Sequence, residues 1–184
     1  MAGSNELLLV RHGETDDNAA DRFQGQLDPR LNDRGREQSL ELARSLEGEG
    51  LRALYSSPLL RARETAEIIG AHLGLEPVFD PRLMEADTGD WTGALYSEVI
   101  AEAPDGFRAW RAADPAFRFP GGESVAEQGA RVNAALRDVR AAAMPAVVVT
   151  HGGSIRAVTD VVSRGDFVGN CALYRLSEQG ELAP

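Results

Sequence analysis

The sequence predicts an α/β protein of three layers, with helices covering both faces of a mostly parallel central sheet. Two observations indicate this fold. The runs Leu7–Val10 and Ala146–Val149 are apolar without alternation, which is typical of strands buried on both faces. Amphipathic stretches with helical periodicity separate the short apolar runs. No repeat, low-complexity linker or domain boundary is visible in the 184 residues, so we expect a single domain over residues 1–184.

Two helices are predicted in the first half of the chain. Asn32 is a favourable N-cap for a helix that runs to about Glu47, where a glycine-containing segment ends it. The short strand candidate Leu51–Tyr55 follows. Ser57 is then a favourable N-cap with Pro58 at the first helical position, so we expect the second helix to begin there.

The second half begins with a loop-rich segment from Pro77 to Gly122. Ser124 and Glu127 form a capping box, which predicts a long helix before the Ala146–Val149 strand. The other predicted elements are two short helices in the loop-rich segment, a late helix and a last strand: Tyr96–Ala103, Asp105–Ala113, Ser154–Val162 and Asn170–Leu176.

Composition and charge exclude several classes of protein. The chain has 19 basic and 29 acidic residues, a formal charge of −10, which argues against nonspecific nucleic-acid binding. Its apolar runs are too short to span a membrane, and its first residues do not resemble a secretory signal. The single cysteine, Cys171, cannot form an internal disulfide. We therefore expect a cytoplasmic protein without a nucleic-acid or membrane partner.

All 19 basic residues are arginine. Codon bias is the simpler explanation, but the physical consequence is independent of the cause. Every fixed cation is a planar guanidinium that can bind phosphate or carboxylate in bidentate fashion. An anionic ligand would need a local pocket of arginines, because the overall charge is negative.

Two of the three histidines directly follow predicted strands. His12 comes after Leu7–Val10, and His151 comes soon after Ala146–Val149; each is followed by glycine, which allows the backbone to approach a ligand closely. In parallel sheets, ligands bind beyond the carboxyl ends of the strands. We therefore expect both imidazoles at one edge of the sheet. His72 falls late in a helix and is expected at the surface.

The segment around His12 resembles the signature of the histidine phosphatase superfamily, the phosphoglycerate mutase-like proteins. Its matching residues are Arg11, His12, Gly13, Glu14, Thr15 and Asn18. Further segments are similar to family motifs in the same order, so the resemblance extends from about Leu7 to Leu176. These segments are Arg22–Gly25, Gly35–Gln38, Ser56–Ala66, Leu83–Gly93, Pro120–Ser124 and Thr150–Arg156.

The resemblance implies a phosphoglycerate mutase-like fold and a phosphomonoester hydrolase that works through a phosphohistidine intermediate. It implies that His12 is the nucleophile, that Glu85 is the acid and base, and that Arg11 and Arg61 hold the phosphate with help from His151. The substrate-binding residues that it implies are Asn18, Gln24, Gly25 and Gly152. The expected partner is a small phosphomonoester, and a homodimer is left open.

No metal or other cofactor is expected, because arginines would neutralise the phosphate dianion. His12 and His151 lack the neighbouring cysteine or acidic ligands of a zinc site. Without the motifs, Arg11 and Arg61 would be interpreted as structural ion-pair partners. On charge alone, Glu85 is one of four neighbouring carboxylates, the others being Asp80, Asp87 and Asp90. Packing roles are expected for Trp91 and Trp110, and for Cys171 as a buried residue inside the last strand.

Two alternatives to a phosphomonoester hydrolase stay open. One is a phosphoglycerate mutase-type phosphotransferase, which is less favoured because the resemblance implies that true mutases are longer. The other is a regulatory phosphohistidine phosphatase or phosphate-binding module. Arg30 departs from the family pattern near the expected pocket rim, and the segment between 155 and 170 is short. The candidates to bind a second anionic group are Arg108, Arg111 and Arg118.

Overall fold

The computed structural model describes residues 6–162, 168–177 and 182. Its five strands are β1 (Leu7–Arg11), β2 (Ala53–Ser56), β3 (Pro77–Phe79), β4 (Ala146–Thr150) and β5 (Leu173–Leu176). They form one sheet in the order β3-β2-β4-β1-β5. The β1–β4, β2–β4 and β2–β3 pairs are parallel, and β5 adds to β1 in antiparallel orientation.

Helices cover both faces of this sheet. The α-helices of the described residues are α1 (Asp16–Ala19), α2 (Asp33–Ser45), α3 (Leu60–Leu73), α4 (Tyr96–Glu102), α5 (Pro104–Arg111), α6 (Val125–Ala142) and α7 (Gly152–Val158). Successive strand residues point to opposite faces, so Val147 packs with α2 and α3 while Val148 packs with α6 and α7. The unbroken apolar runs therefore supply two cores at once, and the predicted three-layer α/β fold is confirmed.

Most predicted helix starts are confirmed. The Asn32 side chain accepts a hydrogen bond from the Gly35 amide at 2.8 Å and caps α2. The Ser124–Glu127 capping box is present at the start of α6. The two short helices of the loop-rich segment are α4 and α5, each ending one or two residues earlier than predicted.

Four local predictions are wrong. Ser57 is not a helix cap, because α3 begins only at Leu60. The late helix covers Gly152–Val158 instead of Ser154–Val162, since Thr159 is extended. The last strand begins at Leu173, because Cys171 is left-handed with φ of 54° and lies in a turn before the strand. Cys171 is half-buried rather than a core residue. The three-residue edge strand β3 was not predicted.

The parallel strands bring three polar residues to one edge of the sheet. Arg11 pairs in register with Thr150, and Ser56 pairs with Val149. The residues that follow these strands, His12, Ser57 and His151, therefore meet at the carboxyl edge, as expected for the two histidines. Among the described residues, no helix is long and apolar enough to cross a membrane.

Candidate active site

The hydrogen bonds of His12 determine which of its ring nitrogens carries the proton. Nδ1 lies 2.7 Å from the Gly13 carbonyl, and Nε2 lies 3.2 Å from Nε of Arg61. A carbonyl can only accept and a guanidinium can only donate, so Nδ1 is protonated and Nε2 holds a lone pair. Burial, with the charges of Arg61 and Arg11, holds the pKa of His12 well below its usual range. His12 is therefore neutral, and the lone pair on its Nε2 accepts the hydrogen bond from Arg61.

His151 lies beside His12, with 5.1 Å between the ring centroids. The ring is fully buried, and its Nε2 is 2.8 Å from the hydroxyl oxygen of Ser57. That hydroxyl also accepts from the Leu59 amide. The Nδ1 atom of His151 is buried without a hydrogen-bond partner among the described residues. Burial, followed by the charge of Arg61, lowers the pKa of His151 well below its usual range.

Two arginines flank His12, of which Arg61 is buried and Arg11 is half-buried. Arg61 is 1% exposed, and its two terminal nitrogens donate to the carbonyls of Leu27 and Gly25 at 2.7 and 2.8 Å. Burial lowers the pKa of Arg61 to about 10, so it stays charged at neutral pH. Arg11 donates from Nη1 to the Val168 carbonyl at 2.7 Å. Its Nε is buried without a hydrogen-bond partner in the described part of the chain.

Glu85 is held by three N–H donors. Its Oε1 accepts from the Ala86 amide at 2.9 Å and from Gln128 Nε2 at 2.7 Å, and its Oε2 accepts from the Gly153 amide at 3.0 Å. A side chain at Gly153 would place its Cβ 2.4 Å from Oε1, so only glycine permits this approach. Oε2 accepts one hydrogen bond fewer than Oε1, which leaves it room to carry a transferred proton.

These groups surround one cavity of about 660 Å³. His12, Arg11, Arg61 and Glu85 line it, whereas the buried ring of His151 is not part of the lining. The predicted substrate-binding residues that also line it are Asn18, Gln24, Gly25 and Gly152. The structure therefore brings together the residues predicted from the sequence.

Asn18 and Gly25 show how the cavity wall is built. The Asn18 side-chain oxygen accepts from the Thr15 amide and from Asn170 Nδ2, so its NH₂ group is the part left to bind an anion. Gly25 is left-handed, with φ of 50°, and a Cβ there would lie 2.3 Å from Thr88 Oγ1. This turn presents the Gly25 carbonyl to Arg61.

An aromatic cluster, most of it from the middle segment, forms part of the cavity wall. Phe23, Trp91 and Phe119 are buried in it, and Tyr96, Phe107 and Trp110 pack against them. The packing roles predicted for Trp91 and Trp110 are confirmed, but Trp110 also lines the cavity. Its ring lies under the guanidinium of Arg156, at 4.4 Å from the ring centroid.

Of the three candidates for a second anionic group, only Arg111 lines the cavity. Arg108 pairs with Asp105, and Arg118 pairs with Glu127, both at the surface. Arg30 is exposed and pairs with Glu64 at 2.9 Å, so it is a surface ion pair and not part of the cavity wall. His72 is at the surface beside Glu47, as expected.

Several residues that contact or line the site were not predicted to do so, among them Ser57, Tyr96, Gln128 and Arg156. Ser57 matched a helix cap, and Arg156 lies in a family motif without a role of its own. Tyr96 and Gln128 lie in helices outside the motifs. Within the described residues, no group of three or more histidine, cysteine or acidic side chains is arranged to hold a metal.

The chain is similar in sequence and structure to known phosphatases. The family model of the histidine phosphatase superfamily (branch 1) matches residues 7–177. Phosphoserine phosphatase 1 of Hydrogenobacter thermophilus is 41% identical over 83% of this chain and 74% of its own length. Glucosyl-3-phosphoglycerate phosphatase of Mycobacterium tuberculosis is 36% identical over 85% and 74%. A solved complex of the mycobacterial glucosyl-3-phosphoglycerate phosphatase with VO3 superposes with a TM-score of 0.82 at 34% identity, covering 94% of this chain and 92% of that one.

Proposed function

The chain belongs to branch 1 of the histidine phosphatase superfamily and is a phosphomonoester hydrolase, and we propose that His12 is its nucleophile and Glu85 its acid and base. The observation that carries this proposal is the tautomer of His12. Its Nδ1 donates a proton to the Gly13 carbonyl, so Nε2 carries the lone pair that would attack phosphorus.

The first step transfers the phosphoryl group to the protein. Arg11 and Arg61 neutralise the phosphate dianion, and the Nε–H of Arg11, which has no partner among the described residues, gains a phosphate oxygen. The lone pair of His12 Nε2 forms the N–P bond while the bond from phosphorus to the ester oxygen breaks. Glu85 gives its proton to that oxygen, so the leaving group departs as a neutral alcohol.

The second step releases phosphate. Glu85, now a carboxylate, takes a proton from water as the water oxygen bonds to phosphorus. The N–P bond breaks and its electron pair returns to Nε2 of His12, which restores the neutral ring. Gln128 and the Gly153 amide hold the carboxylate in the same position for both steps.

His151 is proposed as a further donor to the phosphoryl group. If the Ser57 hydroxyl donates to Nε2, the proton of His151 resides on Nδ1, the buried atom without a partner among the described residues. A phosphate oxygen beside the two histidines would accept from it. The Asn18 side-chain amide and the Gly152 backbone amide are proposed to complete the phosphate site with Gln24 and Gly25.

The substrate is a small phosphorylated metabolite. Release of inorganic phosphate from a panel of phosphomonoesters tests the proposal, with p-nitrophenyl phosphate as the activated member. A mutase would instead interconvert phosphoglycerates without releasing phosphate, and a phosphate-binding module would bind without turnover. No turnover of any ester by the purified protein would contradict hydrolase activity. Single-domain organisation, a cytoplasmic location and a homodimer remain predictions.

A further inference from the structure

Arg156 lies on the cavity wall but not at the proposed phosphate site. It stands on α7, and its Nε is buried without a hydrogen-bond partner among the described residues. Stacking on Trp110 fixes the plane of the guanidinium. A structural arginine in this chain is different: Arg131 binds Glu123 and the carbonyls of Arg82, Met84 and Glu85. Arg156 thus has an oriented cation whose Nε donor is unsatisfied.

The fold places Arg156 on the leaving-group side of the reaction. Gly153 donates its amide to Oε2 of Glu85, and Arg156 is three residues later on the same helix, hence on the same face. Burial lowers the pKa of Arg156, and the charge of Glu85 raises it by a smaller amount, which indicates that the carboxylate is near it. An ester whose oxygen faces Glu85 would extend its alcohol part towards this wall.

Positive side chains outnumber negative ones in the cavity lining. Five arginines and two carboxylates line it, namely Arg11, Arg22, Arg61, Arg111, Arg156, Asp21 and Glu85. Arg22 lies 3.9 Å from Asp17 and forms an ion pair with it. Arg11 and Arg61 bind the phosphate in the proposed reaction, so Arg156 is not needed there and can bind a second anionic group on the substrate.

We propose that Arg156, stacked on Trp110, binds a carboxylate on the alcohol part of the substrate, so that this phosphatase prefers phosphate esters of small hydroxycarboxylic acids. The inference rests on the proposed function, since it concerns the leaving group of that reaction. The planar guanidinium matches a carboxylate in bidentate geometry. Arg111 also lines the cavity, near enough to Arg156 for its charge to act on that guanidinium.

A matched pair of substrates isolates the carboxylate. 3-Phosphoglycerate and glycerol 3-phosphate differ only in a carboxylate against a hydroxymethyl group. We expect kcat/KM for phosphate release to be about 10- to 100-fold higher for 3-phosphoglycerate, the range for a hydrogen bond between charged groups. In Arg156→Met, which retains the bulk of the stem over Trp110, this ratio should collapse to about one. Arg156→Lys, which keeps the charge and loses the planar fork, should give an intermediate ratio.

Arg63→Met is the control. Arg63 also stacks on an aromatic ring, that of Phe79 at 4.2 Å, but it does not line the cavity. This variant should keep the wild-type ratio. Equal rates of the wild type on the two substrates, or equal losses on both in Arg156→Met, would overturn the proposed subsite while p-nitrophenyl phosphate is still hydrolysed. Failure of the wild type to hydrolyse p-nitrophenyl phosphate would instead refute the proposed function itself.

Discussion

Replacing Glu85 by glutamine separates the two steps of the proposed reaction. The new side chain keeps the shape but can neither give nor take the proton. With its oxygen at the Oε1 position it retains the bonds from Ala86 and Gln128, and its NH₂ group then faces the Gly153 amide. One lost hydrogen bond costs about 1–3 kcal/mol of stability, so we expect the variant to fold.

The expected loss depends on the leaving group. An alkyl alkoxide is a poor leaving group, and loss of general acid catalysis costs roughly 10²–10⁴ in rate, or about 3–5 kcal/mol of barrier. A nitrophenolate leaves without a proton, so the first step should be almost unaffected with p-nitrophenyl phosphate. The second step lacks its base with either substrate, because both give the same phosphohistidine.

Rapid-mixing kinetics distinguish these effects. In Glu85→Gln, p-nitrophenyl phosphate should give a burst of one nitrophenolate per active site, followed by a slow steady state. The trapped phosphoenzyme should be labile in acid and stable in base. An alkyl phosphate should give no burst. Asp87→Asn is the matched control, because Asp87 is an exposed neighbour whose Oδ1 accepts from the Gly89 amide outside the cavity lining; it should behave like the wild type.

Equal losses on both substrates without a burst would refute this role of Glu85. Its three hydrogen bonds would then indicate a structural or binding residue. Asp87 and Asp90 would become the acids to test.

Three further predictions concern the histidines and the phosphate site. His12→Ala should abolish turnover and the phosphoenzyme, while His72→Ala should not; one tenth of the wild-type rate in His12→Ala would exclude it as the nucleophile. EDTA should leave the rate unchanged and vanadate should inhibit, because Arg11 and Arg61 neutralise the phosphate; restoration of activity by magnesium or zinc would contradict this. Burial lowers the pKa values of His12 and His151 below 6.5, so the unfolded chain takes up protons that the folded chain does not. The free energy of unfolding should therefore decrease as pH falls below about 6.5, by up to about 1.4 kcal/mol per pH unit for each histidine. Urea unfolding at about pH 7.5 and about pH 5.5 measures this, and a smaller decrease in His12→Asn supports it, whereas an unchanged decrease would exclude His12.

The position of the site could be predicted because it depends on local patterns. An apolar run followed by histidine and glycine marks a strand end, and parallel strands place such ends at one edge. That rule alone was sufficient to predict that His12 and His151 lie at the same edge of the sheet. The helix caps at Asn32 and Ser124 are equally local, since each cap bonds an amide three residues away.

The remaining features depend on contacts between distant segments. Ser57 satisfied the sequence rule for a helix cap, but β2 and β4 bring it within 2.8 Å of His151. Gln128 donates to Glu85 only because α6 packs against the segment that leads to Glu85. The choice of Arg111 over Arg108 depends on the rotation of α5 about its axis, which the charge pattern does not specify.

The contact between Arg61 and His12 links substrate binding to nucleophilicity in the proposed mechanism. In the free protein, the lone pair of His12 Nε2 accepts from Arg61 Nε, and that same lone pair must attack phosphorus. Attack therefore requires this hydrogen bond to break. A phosphate oxygen is a stronger acceptor for a guanidinium than a neutral imidazole, because the bond is then charge-assisted at both ends. When the dianion binds, Arg61 Nε therefore donates to a phosphate oxygen instead of His12 Nε2. The lone pair of Nε2 becomes free only when phosphorus is beside it. The carbonyls of Gly25 and Leu27 keep the guanidinium in place during this exchange.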